Sequence, residues 1–227
     1  MNLGLIPQYG GTVGGVRASA LRGVGGWRGD CLAEDTDMTL RLTLAGWAVV
    51  YQNRSECYEE VPENWPSRIR QIRRWTRGHN QALVRYAVPL ALSAGRLPLR
   101  TVADGLLLLG VFTVAPLLLV GWGAAAALFY LGSPVAGAAV AVLGVASYST
   151  LGNFAAFFQV ATAARLDGSG RRVRLLPFLA FGFLVSLMAV SWTTVTHFVP
   201  LPGRAHKRWH KTERHRNGNG NGKAGPS

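Results

Sequence analysis

The chain has 227 residues, of which 49% are hydrophobic, and it carries 24 lysine and arginine residues against 11 aspartate and glutamate residues. This length allows one or two domains with a substantial core. The net charge of +13 does not indicate nucleic-acid binding, because the positive residues are divided among a helix, a loop and a tail, and no nucleic-acid-binding motif accompanies them. We therefore expect membrane lipids and nucleotide phosphates, and no nucleic acid, as partners.

Residues 1–62 have the pattern of part of an α/β domain. A helix is expected over residues 36–45, where Asp35 and Thr36 stand at the N-cap position. The apolar and partly β-branched residues 47–51 follow and predict a buried strand. A helix followed by a strand indicates an α/β fold.

The two cysteines, Cys31 and Cys57, do not form a CxxC motif, so neither a disulfide framework nor a thiolate zinc site is indicated. We expect both to be reduced cytosolic thiols. No basic and apolar leader follows Met1, so no signal peptide is expected.

Residues 63–100 begin with an amphipathic pattern. Apolar and aromatic residues recur every three or four positions behind a candidate N-cap, Asn64, which predicts a helix to about residue 86. Arginines project beside this apolar face. A basic amphipathic helix of this kind, placed just before an apolar region, is expected to lie along lipid headgroups.

Residues 101–200 have the composition of membrane-spanning helices. No charged residue occurs between Asp104 and Arg165, a length that fits two crossings of about 20 to 25 residues each. A turn sequence at residues 131–134 divides this stretch, and a third apolar run covers residues 175–199. We therefore expect two to three spans.

The third apolar run raises a question of topology. Arginines in the loop at residues 165–174 mark it as cytoplasmic, yet a third crossing would place the basic, disordered tail of residues 201–227 outside. Either residues 175–199 lie at the interface or another segment crosses, and the sequence leaves both open. The tail histidines His206, His210 and His215 fit a solvated tail better than a metal site.

The run Glu34-Asp35-Thr36-Asp37 places three carboxylates in four residues at a helix start. One interpretation is helix capping. A second takes Asp35 and Asp37 as oxygen ligands of Mg²⁺ or Mn²⁺ bound to a nucleotide diphosphate. A third makes one carboxylate a general base that deprotonates an alcohol.

A second group of polar residues lies on the amphipathic helix, where Gln71, Arg74 and Trp75 share one face. They offer an amide donor, a forked cation suited to phosphate and an aromatic platform suited to a sugar ring. The alternative is an interfacial helix with tryptophan at the headgroup boundary and arginine reaching out to water.

Glu34-Asp35 followed by Gln71-x-x-Arg74-Trp75 and then by apolar spans resembles the family 2 glycosyltransferases of the cellulose-synthase and hyaluronan-synthase type, bacterial members in particular. The resemblance implies that Asp35 is the catalytic base and that Glu34, its neighbour, binds substrate. It further implies that Gln71 and Arg74 contact the nucleotide diphosphate and that Trp75 stacks on the acceptor.

The resemblance also implies a fold and partners. Residues 1–62 would be the C-terminal portion of a glycosyltransferase A-type domain, with Asp37 as a cap rather than a metal ligand. The donor-binding half, with the ligands of the expected Mg²⁺ or Mn²⁺, has no counterpart before Asp30, so Met1 is expected to begin a fragment that is inactive alone. The donor would be a UDP-sugar, and the site would face the cytoplasm at a bacterial inner membrane.

Three functions remain open on this sequence. The first is transfer of a sugar to a growing polysaccharide. The second is addition of one sugar to a lipid acceptor by an enzyme of the same family. The third is a non-catalytic membrane protein whose basic helix binds lipid.

Overall fold

The computed structural model describes residues 5–8, 11, 14–50, 61–150 and 154–199. Cys57, residue 51 of the predicted strand and the tail with its histidines therefore lie outside the described residues. Across the described ranges the chain is helical, with 3-10 segments at Val111–Thr113 and Gly170–Phe178. The α-helices are α1 (Ala18–Gly23), α2 (Glu34–Leu44), α3 (Trp65–Leu92), α4 (Leu99–Gly110), α5 (Val114–Tyr130), α6 (Ala136–Thr150), α7 (Phe154–Leu166) and α8 (Leu179–Phe198).

The described residues contain no β-strand, apart from one isolated bridge between Ala94 and Leu97. Residues 47–50 form irregular backbone, with Trp47 40% exposed and Val50 80% exposed. The prediction of a buried strand is wrong for these four residues. A strand forms only when its backbone pairs with a neighbouring strand, and none is present in the described ranges. The α/β class is therefore not confirmed.

Helix α2 forms where it was predicted but begins differently. It starts at Glu34, its N-cap is Ala33, and no side chain caps its first turn. The predicted capping by Asp35, Thr36 or Asp37 is therefore wrong, because all three lie inside the helix.

Helix α2 ends at a glycine. Gly46 has a φ of 79°, and the backbone N–H groups of Gly46 and Trp47 donate to the carbonyls of Thr43 and Leu42. This pattern is the Schellman motif, in which a left-handed residue lets the chain satisfy the last carbonyls of a helix. The sharp stop turns the chain away from α2 immediately after Ala45.

Helix α3 is the longest helix of the described chain, and it confirms that a helix begins after Asn64. The side chain of Asn64 accepts a hydrogen bond of 3.0 Å from the backbone N–H of Ser67, as expected of an N-cap. The helix continues past residue 86 to Leu92. It packs against α2, α4 and α8, so it is the element to which the other parts are attached.

A buried cluster joins α2, α3 and α4. Leu40, Leu90 and Leu109 are completely buried within it, and each fully buried leucine contributes about 1.5 to 3 kcal/mol. A smaller cluster of Ala20, Met38 and Leu42 attaches α1 to α2. These clusters fix the orientation of α2, which carries the acidic run, against α3.

The apolar half forms a helical hairpin. The continuous stretch Leu99–Tyr130 is long and apolar enough to cross a membrane, and so is Phe181–Phe198 in α8. The predicted turn is confirmed, since α5 ends at Tyr130 and α6 begins at Ala136. Trp122 Nε1 of α5 donates a hydrogen bond of 2.8 Å to Ser147 Oγ of α6. The number of crossings stays a prediction.

Candidate active site

The site begins where the start of α2 touches the middle of α3. A Cβ added to Gly78 would lie 2.5 Å from the backbone nitrogen of Ala33 and 2.5 Å from its Cβ. Real Cβ atoms do not approach other atoms so closely, so only glycine permits this contact. Gly78 therefore lets the first turn of α2, with its carboxylates, lie directly on α3.

Asp35 is half-buried in the first turn of α2, whereas Glu34 before it is exposed. The backbone N–H of Thr36 donates to Asp35 Oδ1 at 2.7 Å. A Cβ at Gly11, whose φ is 80°, would lie 3.2 Å from Asp35 Oδ2. One oxygen of the carboxylate is thus fixed by the Thr36 N–H and the other lies close to Gly11, while the side chain as a whole stays partly exposed. The dipole of the helix N-terminus stabilises its negative charge.

His79 of α3 contacts Thr36, the residue that follows Asp35. Its Nε2 is 3.3 Å from Thr36 Oγ1, the oxygen that also accepts a hydrogen bond of 2.8 Å from Gln8 Nε2. Burial lowers the pKa of His79 below its usual value, and the negative charge of Asp35 opposes this only in part. A neutral imidazole therefore links the acidic run to α3.

Asp37 is completely buried and forms the centre of an ion-pair network. Arg41 Nε donates to its Oδ2 at 2.8 Å. The Tyr86 hydroxyl donates to Oδ1 at 2.5 Å and Arg85 Nη1 donates to the same oxygen at 3.3 Å. A buried carboxylate is tolerated when it is paired in this way, so Asp37 joins α2 to α3 and does not cap α2.

The network perturbs the titration of two side chains on α3. Burial and the hydrogen bond to Asp37 raise the pKa of the Tyr86 hydroxyl to about 12. A hydrogen bond of 2.8 Å to Asp30 raises the pKa of Arg85 and lowers the pKa of the Asp30 carboxyl. Both side chains therefore keep their protons over the physiological range.

The same network holds the loop between α1 and α2. Arg41 Nη1 donates to the carbonyls of Val24 and Gly26 at 2.6 Å and 2.7 Å. Arg85 holds Asp30 further along the loop. One buried arginine and one partly exposed arginine thus set the path of the backbone that leads into Asp35.

The Gln71, Arg74 and Trp75 group lies on α3 and involves one more residue. Arg68 Nη1 donates to Gln71 Oε1 at 2.7 Å, and the Arg68 guanidinium carbon is 5.5 Å from the centroid of the Trp75 ring. Trp75 is 40% exposed, and Arg74 is half-buried without an ion pair to any residue of the described ranges. Arg68 therefore orients two members of the group, and Arg74 keeps its charge available.

The two groups are adjacent. Trp75 precedes His79 by one helical turn, a rise of about 6 Å along α3. Among the described residues no hydrogen bond joins Asp35 to Gln71, Arg74 or Trp75. The acidic run and the helix-face group therefore lie next to each other along α3 and remain separate.

The metal-ligand interpretation of Asp35 and Asp37 does not fit this geometry. Both oxygens of Asp37 accept hydrogen bonds from arginine or tyrosine, so a metal would have to displace them. No group of three or more metal-ligating side chains occurs within the described part of the chain.

The family model described as Glycosyl transferase family group 2 matches residues 6–203, a range that contains the eight α-helices of the described residues. The chain belongs to this family. The predicted resemblance to family 2 glycosyltransferases is thereby confirmed, although the cellulose-synthase type, the bacterial origin and the membrane integration are not.

Curated relatives of this glycosyltransferase chain match over a limited part of their length. The probable glycosyltransferase YdaM of Bacillus subtilis (strain 168) is 33% identical over 76 residues, which are 34% of this chain and 18% of YdaM. The probable glucomannan 4-beta-mannosyltransferase 4 of Oryza sativa subsp. japonica is 31% identical over 87 residues, 38% of this chain and 16% of that protein. The probable glucomannan 4-beta-mannosyltransferase 1 of Arabidopsis thaliana is 36% identical over 70 residues, 31% of this chain and 13% of that protein. No solved structure matches the chain.

Sequence reasoning missed several residues that build the site in this family member. Gly78 in the middle of a long helix was a visible signal, since glycine weakens a helix interior unless a close contact requires it. The spacing of Asp37 and Arg41 was a second signal, because residues four apart on a helix face each other. No local pattern indicated that Tyr86 and Arg85 would reach Asp37.

Proposed function

We propose that the chain is the acceptor-side part of an inverting family 2 glycosyltransferase, which moves a hexose from a nucleotide-sugar donor to a growing polysaccharide at a membrane. One observation carries the proposal. Asp35 is held half-exposed at the N-terminus of α2, directly on the helix that presents Gln71, Arg74 and Trp75.

The proposed reaction uses Asp35 as a general base. Its carboxylate accepts the proton of an acceptor hydroxyl while the hydroxyl oxygen forms a bond to the anomeric carbon of the donor sugar. The bond from that carbon to the diphosphate breaks at the same time, and the nucleoside diphosphate leaves with the electron pair. Attack opposite to the leaving group inverts the configuration at the anomeric carbon.

The neighbouring side chains have separate tasks in this proposal. Arg74 and Gln71 bind the leaving diphosphate, for which a guanidinium fork and an amide donor are suited. Trp75 stacks on an acceptor sugar ring, and Glu34 binds acceptor hydroxyls from its exposed position. A Mg²⁺ or Mn²⁺ ion, with ligands outside this chain, would neutralise the diphosphate.

The substrate class is a further part of the proposal. The two plant relatives are named as glucomannan 4-beta-mannosyltransferases. Those names support a hexose as the transferred group and a polysaccharide as the acceptor. A UDP-sugar is the proposed donor, and the plant relatives make mannose a sugar to include in the assay.

The proposed location is a bacterial inner membrane, with several crossings and the catalytic residues on the cytoplasmic side. Two helical stretches have the length and composition of membrane spans. On α5, Leu117, Val120 and Phe129 are 68% to 70% exposed, and so much apolar surface on a helix favours contact with lipid. The arginines at residues 165–174 favour the cytoplasmic side for the loop that carries them.

Transfer of labelled sugar tests the function. The longest reading frame that contains this chain, purified in detergent, should transfer hexose, and residues 1–227 alone should not. Asp35→Asn in the long form should lower turnover at least about 100-fold, since general base catalysis contributes that much. Asp167→Asn, which removes an exposed carboxylate after α7, is the matched control and should leave turnover unchanged.

Near-normal turnover of the Asp35→Asn enzyme would refute the general-base role. The length of the product separates polymer synthesis from addition of a single sugar to a lipid. A long form that binds lipid but transfers no sugar from any nucleotide donor would favour a non-catalytic membrane protein.

A further inference from the structure

Helix α2 carries three threonines whose hydroxyls have different partners. Thr39 and Thr43 each donate to the backbone carbonyl four residues earlier, at 2.8 Å and 2.9 Å, as threonines inside a helix commonly do. Thr36 lies in the first turn of α2, its side chain is completely buried, and its hydroxyl contacts other side chains instead. These side chains therefore decide where the Thr36 hydroxyl proton points.

Three polar groups surround the Thr36 hydroxyl. Gln8 Nε2 donates to Thr36 Oγ1 at 2.8 Å, and His79 Nε2 lies 3.3 Å from the same oxygen. Asp35 Oδ1 lies 3.5 Å from it. A hydroxyl donates one proton and accepts on two lone pairs. Because Gln8 is a donor, the Thr36 proton has two possible acceptors, His79 Nε2 and Asp35 Oδ1, and the tautomer of His79 decides between them.

The two neutral tautomers of His79 leave different groups unpaired. His79 Nδ1 is buried and has no hydrogen-bond partner among the described residues. A proton on Nδ1 would therefore be a buried donor without an acceptor, and bare Nε2 would take the Thr36 proton. With the proton on Nε2, the imidazole donates to Thr36 and the Thr36 hydroxyl donates to Asp35. This second arrangement gains a hydrogen bond to a charged carboxylate, which is stronger than one between neutral groups.

We infer that His79 carries its proton on Nε2 and, through Thr36, positions the Asp35 carboxylate. The His79 N–H occupies one lone pair of the Thr36 oxygen, and Gln8 occupies the other. The Thr36 proton is thereby directed to Asp35 Oδ1, which also accepts the Thr36 backbone N–H at 2.7 Å. The positioning role rests on the proposed function of Asp35 as the general base, whereas the hydrogen-bond arrangement does not.

The distance of 3.5 Å between Thr36 Oγ1 and Asp35 Oδ1 is long for such a bond. Hydrogen bonds around a catalytic group are often long without substrate and tighten in the substrate complex. Two donors from one residue on the same oxygen then set the plane of the carboxylate. The base would thus meet the acceptor hydroxyl in one orientation, which is the geometric requirement for efficient proton transfer.

His79 is itself fixed where this role requires it. Its ring packs edge to face on the ring of Phe112, with centroids 4.8 Å apart, so rotation of the imidazole is restricted. Its neighbour Gly78 brings the backbone of α3 against Ala33, one residue before α2 begins. The separation of His79 from Thr36 is therefore set by packing between two helices.

The tautomer can be measured directly on the full chain. The chain, labelled with ¹⁵N-histidine and purified in detergent, is studied by NMR at about pH 8, where a neutral imidazole is favoured. Protonated and bare ring nitrogens have well separated ¹⁵N shifts, and the signals missing from His79→Gln belong to His79. We expect the proton on Nε2, and a proton on Nδ1 would overturn the inference. This measurement requires no sugar transfer.

Turnover of the long form tests the positioning role. Thr36→Val removes the hydroxyl and keeps the shape, and Thr36→Ser is the matched variant that keeps the hydroxyl. We expect Thr36→Val to lower kcat about 10-fold with an unchanged KM for the donor, since it removes one hydrogen bond to a charged group. Thr36→Ser should recover most of this loss. Equal kcat values for the two variants would overturn the inference.

The same comparison applies to His79. His79→Leu removes the donor and should lower kcat as Thr36→Val does. His79→Gln supplies an amide N–H in place of the imidazole N–H and should recover most of that loss. A His79→Gln enzyme as slow as His79→Leu would contradict a role for His79 as a donor to Thr36.

A double substitution separates positioning of Asp35 from a general loss of structure. In an Asp35→Asn background no general base remains to be positioned, so Thr36→Val should lower kcat no further, whereas structural damage would lower kcat in both backgrounds. An equal loss in both backgrounds would show that Thr36 acts on structure only. If Asp35→Asn alone keeps near-normal turnover, the proposed function of Asp35 fails. If Asp35→Asn is slow but Thr36→Val is not, that function stands and the positioning role is wrong.

Discussion

The junction of α2 and α3 and the hairpin of α5 and α6 are built in different ways. At the junction, the single carboxylate of Asp37 accepts hydrogen bonds from three side chains. Gly78 brings the backbone of α3 into contact with the backbone of Ala33 at the start of α2. In the described part of the hairpin, a side-chain hydrogen bond between Trp122 and Ser147 joins two helices whose outer faces are apolar and exposed. Paired charges and a required glycine specify one arrangement of the backbone, whereas apolar composition specifies an environment. Function should therefore be sensitive to single atoms at the junction and tolerant in the hairpin.

The largest expected effect comes from Asp37→Asn. The substitution leaves Arg41, which is only 8% exposed, without its charged partner. Loss of one partner of a buried ion pair costs about 3 to 5 kcal/mol. We expect the free energy of unfolding in detergent to fall by about this amount, measured by thermal or denaturant unfolding.

The matched control for Asp37→Asn is Asp30→Asn. Asp30 pairs with the same Arg85, but its side chain is 64% exposed, and exposed pairs contribute little. Equal destabilisation by the two substitutions would show that the network around Asp37 does not hold the junction together.

Among the substitutions at the junction, Gly78→Ala should have the second largest effect. The added methyl group meets the backbone of Ala33, which cannot move away without shifting α2. Overpacking of this kind costs about 1 to 3 kcal/mol, and the shift should also displace Asp35 and lower turnover of the long form.

Gly144→Ala is the control for Gly78→Ala. Gly144 lies in α6 with nothing within 4 Å of an added Cβ. In a helix interior alanine is favoured over glycine by up to about 1 kcal/mol. We expect Gly144→Ala to be neutral or stabilising, and a loss at Gly144 as large as at Gly78 would contradict the contrast between the two regions.

The two regions also differ in how much of their structure the sequence predicts. Helical periodicity and Asn64 predicted α3, and the turn at residues 131–134 predicted the hairpin, because both signals are local. The role of Asp37 could not be predicted from the acidic run, since its partners Arg85 and Tyr86 lie on another helix. The prediction of a strand at residues 47–51 is wrong for residues 47–50 for a similar reason. A β-strand depends on a partner strand that local residues do not reveal.

A pH titration should give a smaller effect at the same junction. Burial lowers the pKa of His79 from its usual value near 6.5, so the folded state favours the neutral imidazole. The unfolded state binds the proton more readily, and stability should therefore decline as the pH falls below about 6.5. His79→Gln removes the titrating group. We expect the slope of unfolding free energy against pH between 5 and 7 to be flatter in the variant, and an unchanged slope would contradict a buried neutral His79.

The smallest expected effect is that of Leu117→Ala in the hairpin, and its buried neighbour on α5, Leu118, provides the comparison. Leu117 is 68% exposed, and Leu118 is only 5% exposed. Leu118→Ala should cost about 2 to 5 kcal/mol because it leaves a cavity among packed side chains. Leu117→Ala removes contact with lipid or detergent only, and it should change the free energy of unfolding by no more than about 0.5 kcal/mol. If Leu117→Ala destabilised the protein as much as Leu118→Ala, the exposed face of α5 would have to be packed against protein. The hairpin would then be as closely specified as the junction, and the contrast between the two regions would fail.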